Sequence, residues 1–370
     1  MTRILVIFTG GTIGSASQGG KVDVRAAGSY TLIDQYMKQH GREGVTFETI
    51  QPLNVLSENI VPADWQTLLS AIKGVDQAKA DGIIITHGSD TLAYTAALVS
   101  YAMHDAAIPI VLTASNYPLE DPRSNGLKNF AAAVDFIAGG SVPGVFVIYG
   151  NAKGESLVYL GTRMTQAVAF TDQFGSPYDL VWGQMSSGEL QLIAHEYNPT
   201  VEQLRERAGS AFRDRGVSGA GGGIEAAGLW VDEAFPLSTD IVYIKPYPGL
   251  DYSYYNFSSK APRAVLHDLH HSGTACSSDE EPYSLVSFIQ HCRANGAQVY
   301  LCPLKNLTEA MYGSSHRLME AGAKYIAHQS VEASLIKLMI AYARFDSPEE
   351  IAAFLDADVF YENHVGQGHE

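Results

Sequence analysis

A chain of 370 residues, 46% hydrophobic and 17% charged, reads as a folded protein of about two domains and excludes a fibre or extensive disorder. Its 24 Lys and Arg against 40 Asp and Glu leave a formal net charge of −16. Nucleic-acid binders present a basic stripe, so this balance argues against a nucleic-acid partner. In chain order, residues 4–8, 83–86, 108–113 and 145–149 are continuous apolar runs rich in Val and Ile. Such runs, without strict alternation, predict parallel strands covered on both faces. Between them, 65–72, 91–103 and 125–138 carry apolar residues at helical spacing, 65–72 behind a Pro62-Ala63-Asp64 start.

The character changes after residue 192. Residues 201–216 are charged and precede the glycine cluster GAGGG at 219–223, which reads as an exposed helix and a connector. A second alternation then follows, with strands at 241–244, 264–266 and 298–301. Helices are predicted at 283–294, 314–321 and 331–343, with a last one opened by Pro348. The expected fold is therefore α/β. Residues 1–192 form a domain with a mostly parallel sheet and flanking helices, 193–240 a connector, and 241–370 a smaller α/β domain.

The first apolar run ends in glycines after six residues, too short for a signal-peptide core or a membrane span, and no other window is long enough. Three cysteines, Cys276, Cys292 and Cys302, are an odd number without paired CxxC spacing. Both features predict a cytoplasmic protein with reduced thiols and no membrane partner.

Ligands of open α/β sheets bind outside the carboxyl ends of the strands, and two segments put polar side chains there. TGGTIG, residues 9–14, follows the first strand directly. It reads either as a tight turn with a capping threonine or as a backbone-lined binding loop. The dinucleotide fingerprint fails, because Thr9 stands at its first glycine position. ITHGSDTLAYTA, residues 85–96, again follows a strand and crowds Thr86, His87, Ser89, Asp90 and Thr91 at a helix start. Helix capping explains some of this, but the density of polar groups exceeds what a cap requires.

TGGTI after strand one and THGSDT some 75 residues later resemble the paired motifs of the L-asparaginase/glutaminase family. LSENI at 56–60 is similar to its substrate loop, TASNYPLEDPRSNG at 113–126 to its TGS stretch, and GTRMTQA at 161–167 to the loop of its second catalytic group. IKPYPGLD at 244–251 and the run from Leu318 to Met339 resemble its C-terminal domain. The resemblance implies hydrolysis of the side-chain amide of asparagine, or of a related small amide, without a cofactor. Thr12 would be the nucleophile and needs a neighbouring base to activate its hydroxyl. Ser89 would position it or the attacking water, and Asp90 would hold the substrate ammonium. Ser57 and Glu58 would bind the α-carboxylate and α-amino ends. Gly11, Gly88 and Ser115 complete the implied binding set, with backbone N–H groups near Ser89 and Ser115 facing the oxyanion. A small-molecule amide is the implied partner, and a homodimer or homotetramer the implied assembly.

The sequence departs from the family pattern at several of these positions. Ser89 replaces a threonine and Gln166 the catalytic lysine, so a neutral amide stands where a cation is expected. No tyrosine lies in the stretch after TGGTI before Tyr30, Asn125 replaces an aspartate, and Thr274 replaces an asparagine. Arg163 and Lys153 are nearby charges, and Glu309 lies near the place of an acidic residue supplied by a neighbouring protomer. A diverged member that binds an amino acid or amide with little or no catalysis is the alternative. A further reading comes from His267, Asp268, His270 and His271 followed by Cys276, Asp279 and Glu280. These are metal-ligand types without ligand spacing, and a polar loop is the simpler account, so no metal is expected.

Overall fold

In the computed structural model, residues 1–11, 13, 15–18, 21–24, 27–140, 142–213, 234–304 and 313–363 are described. Of residues 15–18, 21–24, 27–30, 209–213 and 314 only the backbone course is described. Two compact units are present, Met1–Phe235 with Val359–Tyr361 and Pro236–Asp358 with Glu362–Glu370.

The first unit begins with β1 (Thr2–Phe8), the hairpin β2 (Ser15–Gln18) and β3 (Lys21–Val24), helix α1 (Ala27–Gln39) and β4 (Val45–Ile50). There follow α2 (Pro62–Lys73), β5 (Gly82–Thr86), α3 (Leu92–Ala102), β6 (Pro109–Thr113), α4 (Gly126–Gly139) and β7 (Gly144–Gly150). The sheet then continues through β8 (Ser156–Leu160), the short pair β9 (Thr165–Ala167) and β10 (Phe174–Gly175), β11 (Gly183–Ser186) and β12 (Glu189–Leu192), before α5 (Val201–Arg213). Eight strands among the described residues make one sheet in the order β12-β11-β8-β7-β6-β5-β1-β4. β4, β1, β5, β6 and β7 run parallel, and β8, β11 and β12 extend the sheet antiparallel.

Every residue of β5, β6 and β7 is buried, which is why these strands read as unbroken apolar runs. β4 and the antiparallel strands were not predicted. VTFETI in β4 is only part-buried, and β11 and β12 place Gln184, Glu189 and Gln191 along them, so no apolar run marks them. The helix expected at 201–216 is α5, while the glycine cluster at 219–223 lies outside the described residues. Within the stretch expected as a connector, Phe235 is buried and its N–H donates to Gln66 Oε1 at 3.0 Å.

Among its described residues the second unit has a four-stranded parallel sheet, β13 (Ile241–Ile244), β14 (Ala264–Asp268), β15 (Gln298–Leu304) and β16 (Lys324–Ala327), in that order. It is accompanied by α6 (Leu285–Ala294), α7 (Gly313–Glu320), α8 (Val331–Arg344) and α9 (Pro348–Asp356). Ser284, Ser330 and Ser347 cap α6, α8 and α9 by accepting from backbone N–H groups in the first turn. Its core is built from Val265, Leu285, Phe288, Val299, Leu301 and Leu318. The fold is thus the α/β arrangement that the sequence predicts, with a large, mostly parallel sheet and a smaller parallel one. Among the described residues no helix is long and apolar enough to cross a membrane.

Of the histidine cluster, His267 is buried at the end of β14, with Nδ1 2.6 Å from Asp268 O and Nε2 2.9 Å from Tyr252 Oη. A carbonyl only accepts, so Nδ1 carries the proton and Nε2 accepts from the tyrosine. Both ring nitrogens are engaged, and among the described residues no group of three or more His, Cys, Asp or Glu is placed to hold a metal. All three cysteines are free thiols, and burial pushes Cys292 and Cys302 up to about 12.

Candidate active site

The strand order β4-β1-β5-β6 places consecutive crossovers on opposite sides of β1, so the chain switches direction at the β1–β5 pair. Open α/β sheets bind ligands at the carboxyl ends of strands at such a point. The two motif-bearing segments emerge side by side there. Thr9 joins them, since its Oγ1 donates to Thr86 O at 2.9 Å and its N–H to the same oxygen at 3.3 Å. This explains the threonine at the position where a dinucleotide loop needs glycine.

Gly10 and Gly11 both adopt positive φ, +105° and +76°. A Cβ on Gly10 would lie 2.5 Å from Val55 O, and one on Gly11 would lie 2.6 Å from Gly88 N. Only glycine permits both this backbone conformation and this approach. Gly88 is pressed in turn against Ser57, whose Oγ would stand 2.3 Å from a Cβ there. Four predicted residues therefore form one packed column. Gly11 lies on Gly88, Gly88 on Ser57, and Ser57 Oγ is 3.2 Å from Asp90 Oδ2, to which it donates.

The short helical turn Ser57–Asn59 is strapped in place from above, because Thr91 Oγ1 donates to Ser57 O at 2.9 Å. Ser57 is buried, Ser89 half-buried, and Asp90 and Glu58 exposed. The site's acidic groups thus reach solvent, while the serine beneath them is fixed. Gly88→Ala is expected to push Ser57 off Asp90, costing about 1–3 kcal/mol of stability and raising KM for a small substrate on the order of tenfold. Urea unfolding and steady-state kinetics on one preparation check both, and an unchanged KM overturns it.

Ser115 follows β6 and is buried, its Oγ 2.6 Å from Tyr117 O and 2.9 Å from Ser124 Oγ. The loop it opens is closed by a reciprocal pair, Asn116 N–H to Asn125 Oδ1 and Asn125 N–H to Asn116 Oδ1, each 3.0 Å. Asn125 keeps the acceptor that the family's aspartate would offer, without its charge. Gln166 is exposed on β9 and donates through Nε2 to Tyr94 Oη at 2.8 Å, tying β9 to α3. Arg163, considered as a charge for the site, is buried, and its guanidinium donates to Tyr361 O, and to Tyr197 O at 2.7 Å. These contacts tie it to the segments around Tyr197 and Tyr361. Thr12 and Glu309 lie outside the described residues, as does the side chain of Tyr30.

Sequence reasoning missed Tyr94 and the role of His87. His87 is fully buried, and its Nδ1 donates to Gly88 O at 2.7 Å, fixing the carbonyl of the glycine at the centre of the column. Burial pushes its pKa down to about 4, so the ring is neutral. His267 repeats this arrangement with the carbonyl of its own next residue, and burial likewise pushes it down to about 4. A signal was present in both cases, a histidine at the carboxyl end of an apolar strand.

These depressed values make stability acid-sensitive. The unfolded chain takes up a proton on each histidine below about 6.5 and the folded one only below about 4, so stability is full above pH 6.5 and is lost as pH falls through that window. By pH 5 each histidine is expected to cost about 2 kcal/mol. Denaturant midpoints at pH 7 and 5 for the native chain and His267→Gln check this, the variant losing less; equal losses overturn it.

A sequence-family model described as asparaginase, N-terminal, matches residues 3–197. L-asparaginase of Thermococcus kodakarensis is 27% identical over 366 residues, covering 96% of this chain and 98% of that protein. A glutamyl-tRNA(Gln) amidotransferase subunit from Pyrococcus horikoshii is 23% identical over 363 residues, covering 94% of this chain and 74% of that protein. The solved structure of the thermostable L-asparaginase from Thermococcus kodakarensis superposes with a TM-score of 0.74 at 25% identity, covering 98% of this chain and 99% of that one.

Proposed function

Because the chain belongs to the asparaginase family, we propose that it hydrolyses the side-chain amide of L-asparagine, or of a related small amide, to the acid and ammonia. The observation that carries this reading is the column Gly11–Gly88–Ser57–Asp90 at the β1–β5 switch point. In this reading Thr12, the first side chain after the two glycines, attacks the amide carbonyl. Asp90, exposed and held by Ser57, receives the substrate ammonium as a charge-assisted partner. Ser57 and Glu58 frame the amino-acid end. Ser89, at the lip of the column, orients the nucleophile or the water that later releases the acyl group. Backbone N–H groups beside Ser89 and Ser115 stabilise the oxyanion.

A base must take the Thr12 proton and return it to the leaving ammonia. Gln166 cannot do so, and its amide is spent on Tyr94. That hydrogen bond favours a second reading, a protein that binds an amino acid or amide with little or no turnover. Ammonia release from asparagine, glutamine and related amides separates the two. Turnover of any of them supports the first reading. Calorimetric binding of aspartate by a protein inert on the whole panel replaces it with the second. The same family reading brings a homodimer or homotetramer, which sedimentation equilibrium tests.

A further inference from the structure

In the second unit a cavity of about 310 Å³ opens at the amino ends of the parallel strands, away from the carboxyl-end segments of that sheet. Three cations line it from three separate elements. Arg263 immediately precedes β14, Lys324 opens β16, and Arg293 lies in the last turn of α6. The strand register fixes their proximity, since Ala264 pairs with Gln298 and Tyr300 with Lys324 across β15. One acid, Asp346, shares the lining; its side chain points into solvent, fully exposed, with Oδ1 3.6 Å from Arg263 Nη2. Glu349 is a second neighbouring acid, within the field of Lys324.

The cations are held by different means. Arg263 donates to Tyr342 O at 2.5 Å and lies over the Tyr342 ring, 5.1 Å from its centroid. Arg293 passes over Gly322, where a Cβ would meet its Nη1 at 3.1 Å. Gly322 has φ +107°, so the bare backbone there both permits the turn and leaves room for the guanidinium. Among the described residues, no carboxylate pairs with Arg293. Three like charges around one small cavity repel each other, and in a chain of net charge −16 their gathering is not a by-product of composition.

We infer that this cavity binds a compact anion with two negative charges, a phosphate or a short dicarboxylate. Arg293 and Lys324 contribute the charge, and Arg263 is the fixed wall. Isothermal calorimetry on the full chain at low ionic strength, with inorganic phosphate and with succinate as separate probes, tests it. Binding of either at about 1 mM or tighter is expected, with a matching rise in Tm, and the probe that binds identifies the source. The double variant Arg293→Gln, Lys324→Gln is expected to weaken it at least about tenfold, while Arg293→Lys retains it. No heat from either probe up to about 10 mM, or unchanged affinity in the double variant, overturns the inference.

Discussion

Thr12→Ala is expected to lower ammonia release from asparagine by about 10³-fold or more while leaving the fold and Tm of the protein in place. The reason lies in how the sequence delivers that residue. Thr9 is locked to Thr86, Gly10 is pressed on Val55 and Gly11 on Gly88, so three consecutive residues are fixed before the chain reaches Thr12. If Thr12 is the nucleophile, as proposed, removing its hydroxyl deletes the covalent step. Thr12→Ser keeps the hydroxyl and is expected to retain measurable turnover. Single-turnover assays, which separate binding from chemistry, check the pair; a Thr12→Ala protein with more than about a tenth of the native rate excludes Thr12 as the nucleophile. Gln166→Lys belongs in the same series. If a missing base limits the reaction, the lysine raises kcat, whereas a base supplied elsewhere leaves it unchanged or lower, because the Tyr94 hydrogen bond is lost.

What could be read from the sequence follows from burial. β1, β5, β6 and β7 advertise themselves because interior strands tolerate only apolar side chains, and with them came the two motif-bearing loops at their carboxyl ends. The β4 edge and the antiparallel β11 and β12 did not, since part-buried strands of four to six residues mix Glu, Gln and Ser into the pattern, while β8, SLVYL, is mostly buried but offers only four apolar residues. The same logic divides the candidate site. Glycines against glycines could be suspected from TGG and THG, but the order of the column depends on Ser57, which arrives from a turn more than 40 residues after Gly11. The burial of Arg163 on the carbonyls of Tyr197 and Tyr361 was illegible for a similar reason, because those partners lie 34 and 198 residues away. Nor did sequence position show Asn125 exchanging hydrogen bonds with Asn116 to close the loop after β6.

The largest expected effect on stability also comes from a residue that the sequence hides. Lys337 sits in the middle of α8, within a run in which every residue from Ile336 to Tyr342 is buried and the others are apolar or aromatic. It is fully buried, and its Nζ is 2.5 Å from Glu362 Oε1, itself fully buried. The ammonium also donates to Leu355 O at 3.0 Å and to Ala357 O, so its three protons are matched by three acceptors at the end of α9 and beyond it. A buried pair of this kind contributes little net stability over an apolar pair of the same volume, but removing one partner leaves a desolvated charge facing the gap. Lys337→Met conserves the shape of the stem and removes the cation. It is expected to destabilise the protein by about 3–5 kcal/mol, read as a fall in urea midpoint at unchanged m-value. The double variant Lys337→Met, Glu362→Leu is expected to recover most of that loss, because no charge is then stranded. The two carbonyls remain less well served, so recovery is incomplete by about 1–2 kcal/mol. A single variant within about 1 kcal/mol of the native protein shows that Glu362 neutralises or reaches water, and the pair then holds the chain after α9 far less firmly than its geometry implies.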